Sequence, residues 1–298
     1  MRLLVTGTEG QVARALAERA GADLDVIRLG RPELDLAAPS DFATLFAAHA
    51  PDVVVSAAAY TAVDKAESEP ELAFAVNADG AGAVAAAAAA LGVPVIHLST
   101  DYVFDGATPR ALTEDDPTGP VGVYGASKLA GEEKVAAANP RHVILRTAWV
   151  YAPFGANFLR TMLRLASTRD EVRVVADQHG TPTSALDIAA GVEQVARNLL
   201  ARPQETRLAG IFHLTAQGGP TDWAAFATEV FRAASAHGGP GARVVPITTA
   251  DYPTPAKRPA WSWLDGGRLS EIHGVTLPDW RSGVEQVVGR LAREGQWT

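Results

Sequence analysis

A chain of 298 residues, 47% hydrophobic and 20% charged, has a globular composition: long enough to bury a sizeable core and too apolar to stay disordered. Its formal net charge of -8 comes without any block of lysine or arginine, which excludes an electrostatic footprint for nucleic acid and leaves room only for a local basic pocket around one phosphate group. There is no cysteine, so disulfides, thiolate nucleophiles and cysteine-based metal sites are excluded too.

In chain order, "MRLLVTGTEG" opens with an apolar run too short for a signal-peptide core. The longest small-apolar stretch, "GAVAAAAAALGVPVI", is interrupted by Gly92 and Pro94 and falls short of a membrane span, so a cytoplasmic protein with neither membrane nor nucleic-acid partner is expected. Strands are predicted at 2–6, 24–29, 52–56, 93–99 and 142–147, and helices at 11–20, 40–49, 69–91 and 124–138. Strands that alternate with helices and lack polar alternation argue a buried parallel sheet covered on both faces. The predicted fold class is α/β, a doubly wound (Rossmann-type) parallel sheet with a smaller C-terminal substrate-binding domain. The expected division is 1–151 for the dinucleotide and 152–298 mainly for the substrate, with the segment 184–202 packing back on the large domain.

"VTGTEGQVARAL" places Gly7 and Gly10 directly after the first strand and before a helix, where backbone amides can approach a pyrophosphate at a helix N-terminus. The spacing is Gly-x-x-Gly-x-x-Ala, with Ala13 where a small residue lets helix and strand pack closely; alone, such a turn is also compatible with a purely structural βα connection. After the second strand, "RLGRPELDL" offers Arg28 and Arg31 to a 2′-phosphate while the acid Asp35 comes later, which tilts the expectation to NADPH, with NADH as the alternative.

Tyr124 and Lys128 in "YGASK" lie one helical turn apart and can point into the same cleft. A cation beside a phenol lowers its pKa, and the phenol can then deliver a proton to a carbonyl oxygen. The spacing by itself is common. "HLSTDYVFDG" strengthens it, because Thr100 falls at the carboxyl edge of the sheet, where substrates bind, and can donate to the same oxygen.

"TGTEGQVARAL", "STDYVF" and "YGASKLAGE" together resemble the extended short-chain dehydrogenase/reductases. "AAAYTAVDKAE", "VNADG", "STDYVFDG", "LRTAWVY", "NFLRTML", "GTPTSALDIA" and "DYPTPAKRPAWS" narrow the resemblance, over nearly the whole chain, to the dTDP-4-dehydrorhamnose reductases. The resemblance implies Thr100, Tyr124 and Lys128 as catalytic residues. It implies Gly7, Gly10, Gln11 and Val12 at the pyrophosphate, Asp35 and Leu36 at the adenosine end, and Ala57, Ala58, Ala59 and Tyr60 along the cofactor. Asp101, Phe104 and Trp149 would line the sugar pocket, with Asn157 and Arg258 holding the nucleotide. The implied reaction is NADPH-dependent reduction of the C4 ketone of a dTDP-linked 4-keto-6-deoxy sugar, dTDP-4-dehydro-L-rhamnose first. Another 4-keto sugar, or a non-catalytic regulatory subunit like the relative that binds methionine adenosyltransferase, are the alternatives.

A homodimer is one option for partners, and the sequence leaves the oligomeric state open. Some members carry Mg2+ at a dimer contact through glutamates that find no match here. The sequence departs from the family pattern at Ser56, Ala152 and Trp261, which bears on pocket shape more than chemistry. His97, inside an apolar strand, reads as a hydrogen-bonded core residue. Asp177 and His179 lack a third ligand, so no metal site is assigned.

Overall fold

The computed structural model describes residues 1–38 and 41–297. The five apolar runs form β1 (Arg2–Thr6), β2 (Asp25–Leu29), β3 (Val53–Ser56), β4 (Val95–Thr100) and β5 (His142–Thr147). Every residue of β3 is buried, as a strand covered on both faces requires. Between the strands run α1 (Gln11–Ala17), α2 (Phe42–Ala47), a short α3 (Val63–Ala66), α4 (Pro70–Phe74), α5 (Ala81–Ala90) and α6 (Val123–Ala138). Asp41 caps α2 by accepting from the Thr44 N–H at 3.0 Å, and Ser40, expected at its start, lies outside the described residues.

The helix expected over 69–91 is continuous but joins α4 to α5 through a π-helical turn, Ala75–Gly80. Taken as one helix, Pro70–Ala90 is long and apolar enough to cross a membrane, which the stretch 82–96 considered alone was expected not to be. It packs against β3, β4 and α6 and is half buried in the fold, the placement of a core helix.

Past β5 come β6 (Val150–Tyr151), α7 (Phe158–Ala166), β7 (Glu171–Val175), β8 (His179–Gly180), β9 (Thr183–Ser184) and α8 (Ala185–Ala201). They are followed by β10 (Gly210–His213), β11 (Thr221–Asp222), α9 (Trp223–Ala236), β12 (Arg243–Ile247), β13 (Trp261–Ser262), α10 (Gly267–His273) and α11 (Trp280–Glu294). The main sheet has six parallel strands in the order β10-β5-β4-β3-β1-β2. Its sixth strand was not predicted: "GIFH" is short, and only pairing with β5 in tertiary structure makes it a strand.

One face of the sheet packs on α1 and α8 through Leu16, Ile188 and Val192, and the other on α2, α5 and α6 through Phe46, Val84 and Val135. A separate cluster, with Leu159, Phe226 and Val287 at its centre, joins α7, α9 and α11 to β7. The aspartates Asp222 and Asp279 cap α9 and α11.

Candidate active site

The winding reverses between β1 and β3, so their carboxyl ends open a crevice. Gly7 leaves β1 at φ +94°, a conformation that favours glycine, and a Cβ there would stand 3.4 Å from that of Ala58 at the end of β3. The N–H groups of Ala57 and Ala58 donate to Thr6 Oγ1, each at 3.0 Å, which ties the two strand ends together. Gly10 begins α1 with no side-chain cap and open space where a Cβ would be, so no side chain satisfies the first amides of the helix there. Beside it, Gln11 Nε2 reaches the Val150 carbonyl at 3.5 Å, and Val12 is half-buried against the core.

The turn from Ala57 through Ala59 to Tyr60 is held by Asn77 in the π-helical turn. Its Oδ1 accepts from the Tyr60 N–H at 2.8 Å, and its Nδ2 donates to the Tyr60 carbonyl at 3.1 Å and to Ser127 Oγ at 2.9 Å. Asn77 was not singled out from sequence, although it stands inside the quoted "VNADG". At the adenosine end, Arg31 is exposed and Arg28 donates to the Thr8 carbonyl over the glycine turn. Asp35 accepts from the Ala37 N–H at 3.0 Å. Leu36 is buried in the core against Gly80.

Thr100 ends β4, and Tyr124 and Lys128 stand one turn apart at the start of α6. Glu67 accepts from the Val123 N–H at 2.9 Å, satisfying a first-turn amide. Gly125 lies flush on the Tyr102 carbonyl, a seat too close for any Cβ, and this brings the Tyr124 ring edge-to-face onto Tyr102 at 5.4 Å. Thr100 Oγ1 donates to Asp101 Oδ1 at 2.8 Å and accepts from the Tyr102 N–H at 3.2 Å. Its proton therefore rests on a carboxylate.

Electrostatics in the cleft are governed by burial. Desolvation raises the Tyr124 phenol to about 12, helped by the charge of Asp101 and opposed by a hydrogen bond with Thr100. The Lys128 ammonium is held by the Leu98 carbonyl at 2.7 Å and His97 Nε2 at 3.3 Å. Desolvation lowers Lys128 to about 8, against a smaller opposing pull from Glu132. Asp101, 3% exposed, is pushed up to about 6 by burial, against hydrogen bonds from Ser262 and Thr100.

Of the residues expected around the sugar and nucleotide, some converge and some do not. Trp149, at φ +49°, stacks on Trp223 at 3.6 Å and presses on Gly180. Phe104 is 1% exposed, its ring under the Arg146 guanidinium at 5.0 Å and beside His213. Asn157 caps α7 and gives its amide to the Ala152 and Phe154 carbonyls, so its donors are already used. Arg258 forms a two-pronged pair with Asp64, both contacts 2.9 Å, and lines a cavity of about 790 Å³.

That cavity also holds Phe158, Trp223 and Tyr252 with Arg169 and Arg173. Asp64 was missed although it lies in the quoted "AAAYTAVDKAE", and Trp223 could not be found because no pattern links position 223 to 149. Asp177 accepts from Thr249, and His179 stacks on Trp261 at 4.3 Å.

A glycine turn at the switch point of a doubly wound sheet, with a threonine, tyrosine and lysine gathered at its carboxyl edge, defines the class of dinucleotide-dependent short-chain reductases. The family model described as "RmlD substrate binding domain" matches residues 1–293. The dTDP-4-dehydrorhamnose reductase of Sinorhizobium fredii is 54% identical over 296 residues, covering 99% of each chain. A crystal structure of a dTDP-4-dehydrorhamnose reductase from Clostridium acetobutylicum superposes with a TM-score of 0.87 at 38% identity, covering 98% of this chain and 99% of that one. The Bacillus anthracis dTDP-4-dehydrorhamnose reductase, solved in complex with NADP, gives 0.89 at 32% identity, covering 97% and 99%. The chain belongs to the dTDP-4-dehydrorhamnose reductase family.

Proposed function

We propose that this chain reduces the C4 ketone of dTDP-4-dehydro-L-rhamnose to dTDP-L-rhamnose. The observation that carries the reading is the aromatic, arginine-lined cavity whose Arg258 lies close enough to Tyr102 for its charge to bear on that phenol, while Tyr102 touches Tyr124. Such a cavity fits a base and a diphosphate, with the sugar directed to Tyr124. Residues 1–151 would hold the dinucleotide and 152–298 mainly the nucleotide sugar.

A nicotinamide cofactor suits the uncapped α1 amides and the Gly7–Ala58 approach. When bound, it supplies the hydride. Tyr124 holds a proton at Oη throughout the neutral range, which suits an acid that protonates the ketone oxygen. Lys128, a cation below about pH 8, keeps one N–H beyond those given to Leu98 and His97 for a ribose hydroxyl or the developing phenolate. Thr100, whose hydroxyl is anchored on Asp101, also hydrogen-bonds the Tyr124 phenol in the sense that pulls its pKa down against burial, which favours the phenolate left once the proton is given.

NADPH is preferred in this reading because Arg28 and Arg31 flank the adenosine end. Substituting Arg31→Ala weakens NADPH by about tenfold, roughly 1.4 kcal/mol, and NADH much less; equal losses remove that preference. The function itself is tested by following NADPH oxidation with dTDP-4-dehydro-L-rhamnose generated in situ and assigning the product by NMR. Appearance of dTDP-L-rhamnose supports the reading, the C4 epimer assigns another sugar, and no oxidation points to a binding subunit.

A further inference from the structure

Lys128 is 2% exposed and, among the described residues, its ammonium has no carboxylate in hydrogen-bond contact. Glu132, one turn further along α6, is engaged by Arg146 on β5 at 2.7 and 2.9 Å. A buried cation without a counter-ion is costly unless lone pairs replace its water. Two are supplied from β4: the Leu98 carbonyl and the Nε2 of His97, itself 1% exposed. An ammonium only donates, so Nε2 is the bare nitrogen of the ring and the proton sits on Nδ1. Nδ1 in turn lies 3.0 Å from Ser56 Oγ on β3, which accepts it. The chain Ser56–His97–Lys128 thus crosses three adjacent elements, and its polarity is set at the lysine end.

We propose that His97 is a positioning residue for the reductase reaction, one that holds Lys128 as a cation through a neutral lone pair and aims its third N–H at the cleft. The inference rests on the reading of Lys128 as a catalytic residue. Burial and the adjacent Lys128 charge keep His97 far below its ordinary pKa, so the ring stays neutral and acceptor-competent across the working range. The titratable and charged groups around Lys128 are His97 on β4, Tyr124 and Glu132 on α6, Arg146 on β5 and Asp101 at the end of β4. Among them only His97 contacts the ammonium through a side chain.

The chain has four lysines, at 65, 128, 134 and 257, so the Lys128 titration can be resolved by NMR with labelled lysine. In the wild-type protein the His97 ring shows a protonated Nδ1 and a bare Nε2 from pH 5 to 9. A proton on Nε2, or titration near 6.5, overturns the inference whether or not the chain reduces any sugar. His97→Leu lowers the Lys128 pKa by about one unit, the loss of one hydrogen bond to a charged group. It also moves the alkaline limb of the kcat profile down by the same amount, so that the loss of rate is about fivefold at pH 8 and small at pH 6.5. His97→Gln, whose amide oxygen accepts from the ammonium, restores both. A rate loss equal at every pH, with an unmoved lysine titration, reduces His97 to a packing residue. If His97→Leu does not fold, the wild-type tautomer decides. If the wild type is inactive on the dTDP sugar while the ring and lysine behave as stated, the functional reading fails and the positioning of Lys128 stands.

Discussion

Two cations are buried beside α6 and are solvated in opposite ways. Arg146 on β5 meets Glu132 through a two-pronged contact, charge against charge, and its guanidinium also covers the Phe104 ring. Lys128, one turn earlier along the same helix, is given a carbonyl and a neutral imidazole. The difference teaches what each position is for. A charge-assisted fork locks a guanidinium that never titrates, which suits the joining of a helix to a sheet. Neutral ligation leaves a lysine near its titration point, with a donor to spare, and this suits a group that must answer to a phenol and a cofactor.

The comparison breaks at its root if Lys128 does not sit beside a working acid. Tyr124→Phe lowers kcat by about a thousandfold, roughly 4 kcal/mol of transition-state stabilisation, with NADPH affinity by calorimetry nearly unchanged. Near-normal turnover removes the mechanism.

The structural half is tested next. Arg146→Met leaves Glu132 buried and unpaired and destabilises the fold by about 3 kcal/mol in denaturant unfolding, whereas the double replacement Glu132→Leu with Arg146→Met recovers most of that loss. A double variant as unstable as the single one shows that the pair is needed for more than mutual neutralisation.

The smallest effect is the titration of Lys128 in stability. Its folded pKa, about 8, lies below the ordinary 10.5, so between these values the unfolded chain holds a proton that the folded chain lacks. Stability from this group therefore rises with pH across that window, and the burial cost is present in full below it. Lys128→Met removes that rise from the difference between thermal unfolding curves at pH 7.5 and 10; an unchanged rise places its origin elsewhere.

Legibility differed along the chain for physical reasons. The strands "VVVS" and "HVILRT" were readable because a strand covered on both faces must be apolar throughout, and "VTGTEGQVARAL" because the turn after β1 needs the positive φ that Gly7 supplies. "GIFH" and the two-residue strands β6, β8, β9, β11 and β13 carry no period of their own and exist only because a partner strand is there. Candidate residues divided in the same way. Thr100, Tyr124 and Lys128 were visible from spacing and order, while Phe104 and Asn157 proved to be held by a core and a helix cap.

The sequence by itself determined the doubly wound sheet, the placement of the glycine turn and the identity of the groups at its carboxyl edge, because these follow from local period, backbone freedom and order along the chain. Tertiary structure alone decided where the protons and charges rest: the Thr100 proton on Asp101, the Lys128 ammonium on Leu98 and His97, Glu132 on Arg146, and Arg258 on Asp64. Hydrogen-bond partners and desolvation are set by what comes into contact across strands far apart in sequence, and no linear pattern encodes that.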